Sequence, residues 1–183
     1  LKSIPFKEKY TEIEKSKILY ATETAGKNKV LTLNSVLKEL LTKANSDEDI
    51  RSSAARALMM IDSKSNSILI AQTMSDSREE ISMRRKLASA LGLWENPKSR
   101  ELLGEGLRNA PTELQETISM ELAKSGEGKT QLMTYIKKGY APARMLKQRA
   151  VEENMLANIS TLQRKEFEAL TANLVPISEE RQK

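Results

Sequence analysis

Apolar side chains recur in this chain at an interval of about 33 residues, a period in the range of helical repeat proteins, although few of the intervening residues match. One pattern is apolar at positions x, x+1 and x+5 and occurs three times, as Val36, Leu37, Leu41; Leu69, Ile70, Met74; and Leu102, Leu103, Leu107. A second is apolar at x, x+4 and x+8 and occurs as Ile50, Ala54, Leu58; Met83, Leu87, Leu91; and Leu114, Ile118, Leu122. Spacings of four and eight place each set on one side of a helix. The sequence therefore predicts two amphipathic helices in each interval.

Two helices in each such period are typical of an α-solenoid, in which each unit buries its apolar face against its neighbours. Aromatic residues make up only 4% of the chain, which favours stacked helices over β-structure. We predict an all-α fold, an α-solenoid of helical hairpins. At 183 residues the chain has the length of one domain, which we assign to residues 1–183.

Turn-forming stretches set the expected boundaries of the units. The segments "DSKSN", "ENPKS" and "SGEGK" lie between the helix pairs, with Pro97, Gly126 and Gly128 expected to stop one helix before the next begins. The predicted division of the chain is an N-terminal cap or partial repeat at 1–29, repeats at 30–62, 63–96 and 97–125, closing helices at 126–175 and a tail or linker at 176–183.

Three hydroxyl residues stand three positions before an acid or amide, at the expected start of each second helix. They are Ser46, Ser77 and Thr112, in "SDED", "SREE" and "TELQ". This spacing is the pattern of the capping box, in which a hydroxyl accepts a hydrogen bond from a free backbone amide of the first turn. We expect all three to cap helices.

The absence of histidine and cysteine excludes whole classes of site. Without them the chain lacks the residues for a Ser-His-Asp triad, a Cys-His dyad, a usual zinc site or a haem axial histidine. No segment is long and apolar enough to predict a membrane span. We expect a non-catalytic chain with no cofactor and no metal. Its first residues, "LKSIPFKEKY", suggest a piece of a longer protein.

The segments "DEDIRSSAARALMMI" and "REEISMRRKLASALGLW" resemble HEAT-like repeats, which begin with acidic residues and continue with Arg or Lys among small residues. The segment from Ser125 to Ala157 resembles the closing stretch of the helical region in large secreted bacterial proteins of the planctomycete and bacteroidete type. The features that carry this likeness are the Gly128 turn, Leu132, Ile136 and the "KGYAP" break.

In those proteins, membrane-bound dehydrogenases with haem-binding domains, a propeller-like domain comes first, HEAT-like helices follow and a c-type cytochrome ends the chain. The resemblance implies a periplasmic or extracellular location and neighbouring domains of the same chain as partners. The haem-attachment motif C-x-x-C-H is absent from these 183 residues. Any haem would therefore belong to a neighbouring domain.

Six residues form the candidate partner-binding surface: Arg51, Arg56, Arg84, Arg85, Lys86 and Trp94. Arg51 and Arg84 occupy equivalent positions in successive units, so they and the neighbouring cations could form a basic ridge for an acidic partner. The alternative is that these arginines cover neighbouring side chains and pair with Asp or Glu one turn away. The next equivalent position, Gln115, would interrupt a ridge. Trp94 would either dock a partner or cover the end of the core.

The predicted function is a helical-repeat scaffold that binds another protein or spaces neighbouring domains. The alternative is a HEAT-like nucleic-acid-binding protein with a basic face, which a net charge of +5 permits. The second helix of the third predicted repeat carries acidic residues, among them Glu113 and Glu116, which argue against that alternative.

Overall fold

The computed structural model describes residues 10–43, 46–94 and 96–174, and these residues form helices with no strand. Nine α-helices and two short 3₁₀ segments are present in these ranges. They are α1 (Glu12–Lys27), η1 (Leu31–Leu33), α2 (Asn34–Thr42), α3 (Glu48–Ser75), α4 (Ile81–Gly92), α5 (Pro97–Gly106), α6 (Thr112–Leu122), α7 (Gly126–Lys137), η2 (Ala143–Lys147), α8 (Arg149–Leu156) and α9 (Thr161–Thr171). The all-α prediction is confirmed.

The helices pack in two rows. In one row α5 lies between α3 and α7, and in the other α4 lies between α3 and α6, with α8 beyond α6. Helices that follow each other in the sequence also pack together, α2 on α3 and α5 on α6. The long helix α3 serves both rows because it bends at Asp62, whose φ of −157° and ψ of 91° are not helical. The predicted break at "DSKSN" is this bend.

The positions of the two apolar patterns lie in the core. Every residue of the second pattern is at most 1% exposed, and so is every residue at x+1 and x+5 of the first. The three residues at position x, Val36, Leu69 and Leu102, are half-buried. Hydrogen bonds also join residues about one period apart: Thr22 to Ser53 at 2.6 Å, Asn66 to Asn34 at 3.1 Å and Asn96 to Ser63 at 3.1 Å.

None of the three predicted hydroxyl caps is present. The N-cap of α3 is Asp47, whose carboxylate accepts hydrogen bonds from the amides of Asp49 and Ile50, while the buried Ser46 hydroxyl has no partner among the described residues. The N-caps of α4 and α6 are Glu80 and Pro111, and neither makes a side-chain capping bond. The N-caps therefore lie one residue after Ser46, three residues after Ser77 and one residue before Thr112.

Capping boxes begin α1 and α9 instead. Thr11 pairs with Glu14 and Ser160 pairs with Gln163, each through both reciprocal hydrogen bonds. Pro97 and Gly126 do not stop a helix, because each is the first residue of the next one, α5 or α7. Proline suits that position since the amide of a first helical residue has no intrahelical partner.

Helix α7 ends in a Schellman motif, in which the amides of Gly139 and Tyr140 bond to the carbonyls of Ile136 and Tyr135. Gly139 has a φ of 77°, a conformation that a side chain disfavours. The closing helices predicted after the "KGYAP" break are η2, α8 and α9, which pack against α6 and α7. The tail predicted at 176–183 lies outside the described residues.

Candidate interaction groove

A groove of about 580 Å³ lies across three consecutive helices of one row. We call it the α3–α4–α6 groove, after the helices that line it. Its side chains include Arg56 from α3, Arg85, Ser89 and Leu93 from and just after α4, and Met120 and Lys124 from and just after α6. Its volume is typical of sites that bind small molecules or short peptide segments.

The face of α4 in the groove carries small and long side chains in turn, with Arg85 and Lys86 between the small residues. Ser82 and Ser89, two turns apart, share one stripe of α4, and Ala90 lies beside them. The residues 33 positions before and 31 positions after Ser89 are Arg56 and Met120, and their side chains form the walls.

Two of the six predicted surface residues are buried, and the prediction was wrong for both. Arg51 is 2% exposed and Arg84 is 9% exposed. The Arg51 Nε donates a hydrogen bond to the Leu41 carbonyl at 2.8 Å, and the Arg84 Nε donates to the Met74 carbonyl at the same distance. These carbonyls are near the ends of the preceding helices, where no intrahelical amide reaches them. The two arginines therefore join helices and are not available to a partner.

The alternative prediction, that Arg51 covers neighbouring side chains and pairs with an acidic residue, agrees with the structure except that the partner is not one turn away. Its guanidinium pairs with Glu79, which follows 28 residues later, in the turn between α3 and α4. At the third equivalent position Gln115 takes over the bond to the preceding helix, because its Nε2 donates to the Leu107 carbonyl at 3.0 Å and to the Tyr140 carbonyl at 3.2 Å. A neutral amide thus replaces the guanidinium without interrupting the series.

Arg56 and Arg85 are exposed and face the groove, as predicted for surface residues. Among the described residues Arg56 has no hydrogen-bond or ion-pair partner, and the nearby Glu23 is itself paired with Lys27. Arg85 donates from Nε to the Thr117 hydroxyl at 3.0 Å, and that hydroxyl donates in turn to the Glu113 carbonyl. This bond orients the guanidinium and leaves its two Nη groups without an acceptor in the described part of the chain.

Lys86 lies at the groove edge, but its ammonium group is paired with carboxylates of the same protein. Its Nζ is 2.7 Å from Asp49 and 3.3 Å from Glu48. Burial opposes the charge of Lys86, but the hydrogen bonds to Asp49 and Glu48 outweigh it and raise the pKa. Asp49 also pairs with Lys15 of α1, so that one carboxylate links α1, α3 and α4.

A carboxylate forms part of the opposite wall. The Glu121 side chain is 3% exposed and pairs with Lys124 at 2.5 Å. It packs directly on α4 at Gly92, where an added Cβ would lie 2.3 Å from the Glu121 Oε2. Lys124 is therefore neutralised within the protein, as Lys86 is.

Trp94 lies in a smaller hollow of about 250 Å³ that continues the groove through the shared residues Leu93, Glu121 and Lys124. The indole is half-buried and packs against the core, which supports the prediction that it covers the core end. Arg100 also lines this hollow, and its Nε is buried without a partner among the described residues. The sequence does not single out Arg100, because it follows a turn and belongs to no periodic set.

The groove contains cations and apolar surface, and the hydroxyl of Ser82 in its lining donates a hydrogen bond to the Glu48 carboxylate at 2.7 Å. Leu93 is 55% exposed, so apolar surface is open to solvent between the guanidinium groups. No group of three metal-ligating side chains occurs within residues 10–43, 46–94 and 96–174. In the same ranges, every helix is too short or too polar to cross a bilayer.

Comparison with family models, with curated proteins and with solved structures finds no match to this chain.

Proposed function

We propose that this protein is a non-catalytic helical scaffold that binds another protein in the α3–α4–α6 groove. The observation that carries the proposal is the groove itself: a concave surface on packed helices, with the guanidinium groups of Arg56 and Arg85 beside the exposed Leu93. Apolar side chains flanked by oriented polar groups are the usual composition of a protein-binding surface. Rigid helices preorganise these groups, which lowers the entropic cost of binding.

Photo-crosslinking in the source organism tests this proposal. A benzoylphenylalanine placed at Ser89, in the groove, is expected to form an adduct with one protein. The same group at the exposed Gln72, which belongs to the other row, serves as the matched control and is expected to form none. Adducts of equal yield at both positions, or only with nucleic acid at Ser89, would contradict the proposal.

We further propose that the architecture is an α-solenoid of HEAT-like hairpins with the period seen in the sequence. The buried periodic leucines and the bonds of Arg51, Arg84 and Gln115 support it. In a solenoid each unit contacts only its neighbours, so an added unit is tolerated. Inserting a second copy of residues 64–96 after Asn96 keeps the register, because the copied Glu79 then follows Arg84 at the separation that Glu79 has from Arg51.

We expect the insertion variant to unfold cooperatively and to keep its melting temperature. Circular dichroism should show a higher helix content. The matched control duplicates residues 64–89 only, which is shorter than one period and breaks the register. A control as stable as the in-register variant would argue against a periodic architecture.

The resemblance to secreted redox proteins leads to a wider proposal, that the scaffold sets the distance between a propeller dehydrogenase and a cytochrome domain. Reading the complete gene tests it. A propeller domain upstream and a C-x-x-C-H motif downstream would support it, and the absence of both would reject it.

Nucleic-acid binding stays the alternative, but the committed lysines disfavour it. Lys86 and Lys124 are paired with carboxylates, so few cations in the groove are free to neutralise phosphates. A steep loss of affinity for a 20-base-pair DNA with added salt would favour this alternative.

A further inference from the structure

We propose that the partner enters the groove as an extended acidic segment, with carboxylates about three residues apart that pair with Arg56, Arg85 and Arg100. The inference depends on the proposed function, since it specifies which protein segment the groove binds. It adds Arg100 to the binding surface and removes Lys86 from it.

The charge of the lining favours an acidic partner. Five cations line the groove and the hollow beside Trp94: Arg56, Arg85, Lys86, Arg100 and Lys124. The two lysines form salt bridges with carboxylates of the protein, whereas the three arginines form none among the described residues. Arg56 has one carboxylate nearby, that of Glu23, which is already paired with Lys27. An uncompensated guanidinium favours a carboxylate, which it binds with two parallel hydrogen bonds.

The lining combines charged and apolar side chains. Leu93 is 55% exposed where the groove and the hollow meet, and Met120 lies on the opposite wall. A nucleic-acid backbone would leave this apolar surface uncovered. A peptide with an apolar residue between two acidic ones satisfies both components, which is why we infer a protein segment.

The distance between the helices that carry the three arginines sets the spacing of the carboxylates. Arg56 and Arg85 belong to α3 and α4, which are neighbours in one row, and Arg100 belongs to α5 of the other row, which packs on α4. A segment that contacts all three must therefore cross from α3 to α4 and then to α5. Packed helix axes lie about 8–10 Å apart. An extended chain advances about 10 Å in three residues, because each residue spans about 3.3 Å. A helical segment would need acids about seven residues apart for the same distance.

Fluorescence anisotropy with labelled twelve-residue peptides tests the inference. The main probe carries three glutamates at i, i+3 and i+6 with one leucine between them, in a Gly-Ser background. Comparison probes carry glutamates at i and i+7, or glutamine in place of every glutamate. We expect the i, i+3, i+6 probe to bind at least tenfold tighter than either comparison probe.

Single substitutions Arg56→Ala, Arg85→Ala and Arg100→Ala are each expected to weaken binding of the main probe about tenfold. Arg149→Ala is the matched control, because Arg149 is 92% exposed and its partner Glu153 lies on its own helix. Folding of each variant is checked by circular dichroism. As a second measurement, Arg85→Glu is expected to lose the glutamate probe and to gain a probe with lysine at the central position.

Three results would overturn the inference: equal affinity for the i, i+7 probe, equal loss in the Arg149 variant, or binding to none of the peptides. A 20-base-pair DNA that binds through the same three arginines would replace the peptide with nucleic acid and would overturn it too. If Ser89 forms a specific protein adduct while no acidic peptide binds, the proposed function stands and only the partner chemistry fails.

Discussion

The Arg51 guanidinium binds the Glu79 carboxylate through two parallel hydrogen bonds, from Nη1 to Oε2 at 2.7 Å and from Nη2 to Oε1 at 2.5 Å. The two side chains are 3% and 13% exposed, so both charges are removed from water. Since the Arg51 Nε also donates to the Leu41 carbonyl, one side chain joins the end of α2, the start of α3 and the turn before α4.

Replacing Arg51 with alanine should therefore destabilise the protein by about 3–5 kcal/mol, because it leaves a buried carboxylate without its partner. The free energy of unfolding from urea denaturation measures this loss. Arg78→Ala is the matched control, since Arg78 lies in the same turn as Glu79, is 88% exposed and pairs with Asp76. Its loss should be much smaller, because water screens an exposed ion pair. Equal losses in the two variants would show that burial of the pair is not what matters.

The burial of Arg51 and Arg84 marks the limit of what could be predicted from the sequence. Leu37, Ile70 and Leu103 were predictable because apolar spacing alone requires their burial. An arginine is read as a surface residue, since a buried charge is costly without partners. The partners that satisfy Arg51, the carbonyl at the end of α2 and the carboxylate beyond α3, are tertiary contacts without a local pattern.

The helix starts were missed for a related reason. Several capping groups lie within a few residues of each other, such as Ser46 and Asp47, and spacing alone does not show that the Asp47 carboxylate caps α3. The groove was predictable only in part. Arg56 and Arg85 were expected on a surface, whereas Arg100 joins them through the packing of α4, α5 and α6.

The three periodic core residues Leu37, Ile70 and Leu103 should respond alike to truncation. Each is at most 1% exposed, so replacement with alanine should cost about 2–5 kcal/mol through lost burial and the cavity left behind. Ile68→Ala is the control, because Ile68 is 48% exposed and its truncation leaves no buried cavity. Thermal and urea denaturation measure the series. A cost below about 1 kcal/mol at any of the three positions would mean that the layers are not equivalent.

Acid should weaken the ion pairs through which the Asp49 carboxylate links α1, α3 and α4. Hydrogen bonds from Lys15 and Lys86 lower the pKa of Asp49 to about 2. A depressed folded-state pKa stabilises the protein above the unfolded value of about 3.9, and this contribution is lost as the pH falls towards about 2. Because Asp49 is half-exposed, solvent screening limits it to about 1 kcal/mol or less.

Asp49→Asn should therefore be less stable than the wild type at pH 7 and should lose less stability between pH 4 and pH 2. Urea denaturation at each pH gives the two curves. Asp62→Asn is a second case, because hydrogen bonds from Ser65 also lower the pKa of Asp62, and its acid dependence should flatten without involving Lys15 or Lys86. Parallel curves for wild type and Asp49→Asn would remove the proposed role of the Lys15–Asp49–Lys86 chain.

The close approach of α5 to α7 depends on a glycine. A Cβ at Gly104 would lie 1.9 Å from Cε2 of the buried Tyr135 ring, so Gly104→Ala should overpack this contact and cost about 1–3 kcal/mol. In a Tyr135→Ala background the added methyl group has room, and the same change should cost far less. Gly126→Ala is the matched control, because a Cβ there meets nothing within 4 Å, and it should be neutral or slightly stabilising. A double-mutant cycle from urea denaturation measures the coupling, and an unchanged cost in the Tyr135→Ala background would place the strain elsewhere than at this ring.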